Sequence, residues 1–334
     1  MSEKTTRNIS FDLLRILACL MVLTMHAQPT VSNPNGIVLS VSSYATAPCI
    51  GLFFMISGAL RLSRPISSYR QFFVGIIHKI IYPVLLWNLL YGIISTITLE
   101  KSWLEWSTYH FLFELNNPTL WFMFPLLGLY LLTPILQSWV HSSNRIHQQY
   151  YLILWGITLC LPWFKDYIPI EEGPRSAFYY FSGYIGYFLL GYYIHHYSAN
   201  LTRYSLIAIF LAWLIPTIIK VTNIQINFYE TFWYLSIFVA FQCIFWMQLA
   251  NHSTIVKKMM QYQPIIQRLS QLTFGVYLVH WLFIVFIRSY LSVHTKDTPF
   301  IFVYLGATFF SLIGSFLLSY LLSKFRRLRF IIGL

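Results

Sequence analysis

Ten stretches of this chain, each about 16 to 25 residues long and mostly apolar, recur from one end to the other, and that recurrence leaves few folds open. A helix of about 20 residues crosses roughly 30 Å of hydrocarbon with every backbone amide bonded within the segment, whereas irregular chain would leave polar groups unpaired in lipid. The spans cover residues 9–28, 44–61, 79–99, 119–140, 149–164, 177–195, 204–220, 230–250, 272–291 and 299–323. The expectation is an all-α integral membrane protein, a bundle of about ten transmembrane helices forming a single membrane domain over residues 1–334. Composition agrees, since 57% hydrophobic and only 10% charged residues exclude an ordinary soluble domain.

A formal net charge of +12 would suggest nucleic acid in a soluble protein, so the placement of the charge matters more than its size. With the N-terminus inside, fifteen basic residues fall on the cytoplasmic side: Lys4, Arg7, Arg61, Arg64, Arg70, Lys79, Arg145, Arg203, Lys257, Lys258, Arg268, Lys324, Arg326, Arg327 and Arg329. The other side holds Lys101, Lys165, Arg175, Lys220, Arg288 and Lys296 with eight of the ten acids, Glu100, Glu105, Glu114, Asp166, Glu171, Glu172, Glu230 and Asp297. The positive-inside rule then places both termini in the cytoplasm, as an even number of spans requires. No nucleic-acid partner is needed to explain the charge, and membrane lipids are the expected surroundings. The first span has no small-residue cleavage site and should be retained. Cys19, Cys49, Cys160 and Cys243 are widely spaced without a C-x-x-C pattern, which points to packing and to no metal site.

Asp12 and Arg15 are the charged residues set well inside a span. A central charge costs about 2.5 to 3.5 kcal/mol on insertion scales, which makes such residues functional candidates by default. His26 joins them, because eleven steps at about 100° return to within roughly 20° of the same helix face, about 16 Å further along the axis. Asp12, Arg15, Cys19, Val22 and His26 thus form one stripe, polar at both ends. The plainer alternative is that Asp12 neutralises Arg15 three residues away and His26 caps the span at the interface.

Where the second span meets the cytoplasm, Arg61 and Arg64 stand three apart, and they share a face if the helix continues to Pro65. Paired guanidinium forks suit phosphate oxygens, although both residues also serve as ordinary positive-inside anchors. In the ninth span Tyr277 and His280 share a face, with a buried structural histidine as the alternative. Trp121 opens the fourth span where interfacial tryptophan is expected. Gly58 and Gly275 are small enough to let helices pack closely.

Four segments carry a resemblance to a known family. Phe11-Asp12-Leu13-Leu14-Arg15 with His26, Phe53-Phe54-Met55-Ile56-Ser57-Gly58 with Arg61 and Arg64, Leu120-Trp121-Phe122 with Tyr130 and Pro134, and Tyr277-Leu278-Val279-His280 follow in order. Together they resemble the membrane acyltransferase-3 family of bacterial O-acyltransferases over nearly the full length, and the compact form is most similar to the WecH type. The resemblance implies an O-acetyltransferase of the bacterial inner membrane. It would transfer acetyl from cytoplasmic acetyl-CoA, a donor rather than a resident cofactor, to a hydroxyl of a cell-envelope glycan or its lipid-linked precursor.

On that reading Arg61 and Arg64 hold CoA phosphates and Arg15 steers the pantetheine arm or thioester, with Asp12 fixing Arg15. His26 acts at the acceptor, as a general base or as a nucleophile forming an acyl-imidazole, and the general base is preferred. Arg15, Tyr277 or His280 would supply the oxyanion donor, with Trp121 in support. The rival from another class is a transporter or glycan flippase, because a polar stripe through a helix bundle also describes a permeation route. A receptor or scaffold would leave Asp12 and Arg15 unexplained.

Overall fold

The computed structural model describes residues 8–28, 36–99, 117–164, 175–197, 202–222, 232–252, 256, 258–294 and 298–334. The eight acids assigned to the outer side, together with Lys4, Arg7, Lys101, Lys165, Lys257 and Lys296, lie outside them. Among the described residues there are helices and turns and no strand.

The helices are α1 Ile9–His26, α2 Gly36–Thr46, α3 Pro48–Leu62, α4 Tyr69–Ile76, α5 Tyr82–Leu99, α6 Met123–Ser142, α7 Arg145–Cys160, α8 Ile185–His196, α9 Thr202–Val221, α10 Ile237–His252, α11 Gln263–His294 and α12 Phe300–Lys324. A π-helical turn, Ile77–Ile81, joins α4 to α5, and a 3₁₀ turn, Pro118–Phe122, leads into α6. Local sequence explains several of the starts. Pro48 opens α3, and the side chains of Ser68, Asn117 and Asn144 accept from the backbone N–H of Gln71, Thr119 and His147 at the heads of their helices.

Among the described residues, six stretches are long and apolar enough to cross a membrane: Ile9–His26, Val41–Leu62, Tyr69–Ile94, Thr119–Ser142, Met259–Arg288 and Phe300–Lys324. The other four expected spans, 149–164, 177–195, 204–220 and 230–250, fall on α7, α8, α9 and α10, which have 16, 12, 20 and 16 residues. In α12, Phe302, Leu305, Phe309 and Leu317 are each more than half exposed while Val303, Ala307, Ser311, Ser315 and Ser319 are buried. An exposed face this apolar suits lipid rather than water.

The chain divides into two compact units. The first comprises the described residues of Met1–Met21, Ser43–Pro65 and Leu132–Ser270. Its centre is the contact of α3 with α8, where the backbones meet without side chains between them. A Cβ on Gly58 would stand 1.8 Å from the Phe188 carbonyl oxygen, and one on Gly191 2.0 Å from that of Met55. Gly58 therefore does what its size suggested. Around this pair Ser10 donates to the Ala250 carbonyl at 2.8 Å, Tyr187 to Tyr234 at 2.7 Å and the Trp155 indole to Gly183 at 2.9 Å, while Tyr44 donates to Ala212. Cys49 and Cys243 are buried here, as packing residues.

The second unit comprises the described residues of Val22–Ser42, Ile66–Leu131 and Gln271–Leu334. It is fastened in the same manner: Tyr91 donates to the Leu278 carbonyl at 2.7 Å, Tyr304 to Thr24 at 3.0 Å and the Trp87 indole to Ile331 at 3.0 Å. Ala27, Ile287 and Ala307 form an apolar cluster joining α12, α11 and the residue after α1. Gly275 makes room for Ile332, whose Cβ would lie 2.9 Å from an added methyl.

Candidate active site

The end of α1 brings His26 into the second unit against α11. Its ring centroid lies 5.4 Å from that of His280, at 48°, and 6.2 Å from that of Trp281, at 87°. Arg288, two turns further along α11, donates from Nη2 to the His26 carbonyl oxygen at 2.7 Å. The last carbonyls of a helix have no partner within it, and a cation there is favoured by the helix dipole. Arg288 also lies over Trp281, its guanidinium carbon 5.5 Å from the ring centroid, a cation–π contact.

His280 is fully buried, and its Nδ1 bonds to the Tyr277 carbonyl oxygen one turn earlier. A carbonyl can only accept, so Nδ1 carries the hydrogen, and in a neutral ring Nε2 then presents a lone pair. That Nε2 is buried and has no hydrogen-bond partner, as has Nε of Arg288. Tyr277 is 5.7 Å from His280, centroid to centroid, and donates its hydroxyl to the Thr119 carbonyl. Thr119 is in turn held by Asn117, whose Oδ1 accepts from its amide at 2.9 Å and from its hydroxyl at 2.8 Å. Trp121 follows two residues later and reaches Tyr277 through Phe122, with ring centroids 6.5 Å and then 5.9 Å apart.

The other candidates belong to the first unit. Asp12 is buried, and its Oδ1 accepts from the Ser270 hydroxyl at 2.6 Å. Arg15 is half-buried on the same face of the uninterrupted helix α1. The condition for Arg61 and Arg64 to share a helical face is not met, since α3 ends at Leu62 and Arg64 lies beyond it, exposed, with Arg61 half-buried in the last turn. A proline disfavours helical geometry in the residue before it, which forces the chain out at Arg64. The bared end of α3 is closed by α6: Gln137 Nε2 donates to the carbonyls of both Arg61, at 3.1 Å, and Arg64, and His141 Nε2 donates to that of Leu62 at 2.9 Å.

The structure thus gathers His26, Tyr277 and His280 in the second unit, and Asp12, Arg15, Arg61 and Arg64 in the first. It adds two residues that the sequence did not single out, Trp281 and Arg288. The available signal was their spacing of seven, which puts them on one face of α11 inside the span 272–291. The oxyanion donors named from sequence fare differently, for the Tyr277 hydroxyl is committed to Thr119, and His280 offers a lone pair rather than a hydrogen.

The second unit of this helical membrane protein thus holds a buried imidazole with a bare ring nitrogen, a half-buried imidazole packed against it and a half-buried guanidinium beside them. A family model described as an acyltransferase domain matches residues 8–320. The chain belongs to the acyltransferase-3 family, and it is a membrane acyltransferase. No curated protein and no solved structure matches it.

Proposed function

We propose that the protein is an O-acetyltransferase of the bacterial inner membrane, of the WecH type, moving acetyl from cytoplasmic acetyl-CoA to a hydroxyl of a cell-envelope glycan or its lipid-linked precursor. The observation that carries this reading is His26 held against His280 at the end of α1, with Arg288 on its carbonyl. In this reading all ten apolar segments cross the bilayer, and both termini lie in the cytoplasm. Arg61 and Arg64, their backbone fixed by Gln137, take the CoA phosphates, and Arg15 meets the thioester arm with Asp12 supporting it. His26 accepts the proton of the acceptor hydroxyl, a step worth about 10²- to 10⁴-fold in rate.

The test is transfer of radiolabelled acetyl from acetyl-CoA to envelope glycan in membranes containing wild type or His26→Ala, with expression and CoA binding followed in parallel. Transfer should be lost while CoA binding is kept. Equal transfer by both proteins would remove His26 from the chemistry. Wild-type membranes that fail to acylate with several donors and acceptors would put a transporter ahead.

A further inference from the structure

We propose that Arg288 is a further catalytic residue, the cation that takes up negative charge on the acyl carbonyl oxygen as the tetrahedral intermediate forms; this rests on the acyl-transfer reading above. Acyl transfer needs a donor aimed at that oxygen, and Tyr277, His280 and Arg15 do not serve. Tyr277 has given its hydroxyl hydrogen to the Thr119 carbonyl. His280 has given its Nδ1 hydrogen to the Tyr277 carbonyl. Arg15 precedes His26 by eleven residues on α1, about 16 Å along the axis, beyond the length of an arginine side chain.

Arg288 meets the requirement by position and by chemistry. Its Nη2 is bonded to the backbone of the proposed base, and its guanidinium lies over Trp281. Its Nε is buried and unpartnered. Leaving a buried donor unpaired costs about 1–3 kcal/mol, more for a charged group, so a retained one calls for a physical account. A donor kept free of ground-state partners, beside a base and out of water, is the arrangement that stabilises charge appearing only during reaction. The orphaned atoms near His26 are complementary: Arg288 Nε offers a hydrogen, suited to the acyl oxygen, and His280 Nε2 offers a lone pair, suited to a hydrogen on His26.

The acceptor oxygen bonds to the thioester carbon as its proton passes to His26, and the carbonyl π pair moves onto oxygen, where Arg288 holds the charge. The pair returns, the C–S bond breaks, the CoA sulfur takes the proton from His26, and the acetyl ester remains on the sugar. No oxidant, reductant or further reactant is needed.

The experiment is steady-state acetyl transfer by the full-length protein in membranes, comparing wild type with Arg288→Gln and Arg288→Lys, using acetyl-CoA and its dithioester analogue, in which sulfur replaces the acyl oxygen. Arg288→Gln should lower kcat by about 10²- to 10³-fold with KM for acetyl-CoA unchanged, the loss expected for one oxyanion donor. The preference of the wild type for the oxygen donor over its sulfur analogue should shrink in parallel, because sulfur accepts hydrogen bonds weakly. Arg288→Lys, which keeps the charge without the fork, should lie between the two and carries the comparison if Arg288→Gln does not accumulate. A fall in kcat with the oxygen-to-sulfur preference intact, or a rise in KM at full kcat, overturns the proposal and leaves Arg288 as a cap on α1. Wild type that transfers acetyl to no acceptor overturns the acyl-transfer reading itself.

Discussion

His280 and Tyr277 are joined through a ring nitrogen and a backbone carbonyl one helical turn apart, and this bond fixes which tautomer the buried imidazole holds. The nitrogen left over is an acceptor in the neutral ring. His280 is therefore placed to receive a hydrogen, as from the neighbouring His26, and ill-suited to polarise a carbonyl.

Replacing His280 separates its two nitrogens. In His280→Asn the side-chain amide can still donate to Tyr277 from the place of Nδ1, while nothing stands at Nε2. The variant should fold as wild type, by thermal unfolding in detergent, yet lose roughly 10²-fold in acetyl transfer, the scale of one proton-transfer group. Wild-type turnover in a folded His280→Asn would show that the free nitrogen takes no part.

Gln137 predicts a different pattern. Its amide bridges the carbonyls of Arg61 and Arg64, so Gln137→Leu leaves two acceptors at the end of α3 without their donor. Stability should fall by about 1–2 kcal/mol. If the two arginines grip CoA, KM for acetyl-CoA should rise several-fold with kcat spared. An unchanged KM in a folded variant would separate the cap from donor binding.

At Gly58 the expectation concerns packing alone. A Cβ there meets the Phe188 carbonyl oxygen at 1.8 Å, a backbone atom that cannot swing aside, whereas one on Gly128 or Gly306 meets nothing within 4 Å. Gly58→Ala should destabilise the protein by about 3 kcal/mol or more, at the upper end of overpacking costs. Gly128→Ala and Gly306→Ala should leave the unfolding temperature within a degree or two, or raise it, as alanine is the better helix former. Equal unfolding temperatures for all three would contradict the close contact of α3 with α8.

The helical character of the chain was legible because hydrocarbon permits little else once apolar runs reach about 20 residues. Of the four runs now on α7 to α10, three form helices of 12 to 16 residues, because composition marks an apolar segment more reliably than its helical length. Helix α1 could be drawn with its stripe from Asp12 to His26 intact, because helical periodicity is a local property. The partners of that stripe could not. Ser270 is 258 residues from Asp12, and Arg288 is 262 residues from His26, and a single sequence carries no record of such meetings. By sequence Arg288 belongs with the outer-side charges, because it stands near the end of an apolar run. Only the fold shows that this end turns its guanidinium toward His26. The end of α3 was readable in retrospect, as Pro65 forbids what a shared helical face for Arg61 and Arg64 requires.

Many of the long-range polar bonds among the described residues have a side chain at one end only. Tyr91, Tyr304, Trp87, Ser10, Tyr187 and Trp155 each donate to a main-chain oxygen, at Leu278, Thr24, Ile331, Ala250, Tyr234 and Gly183. Every residue type supplies such an oxygen, so the receiving positions are free to drift through evolution without unfastening the helices. The burden of memory falls on the donors alone, and a lineage could rewrite half of each fastening while keeping the same architecture.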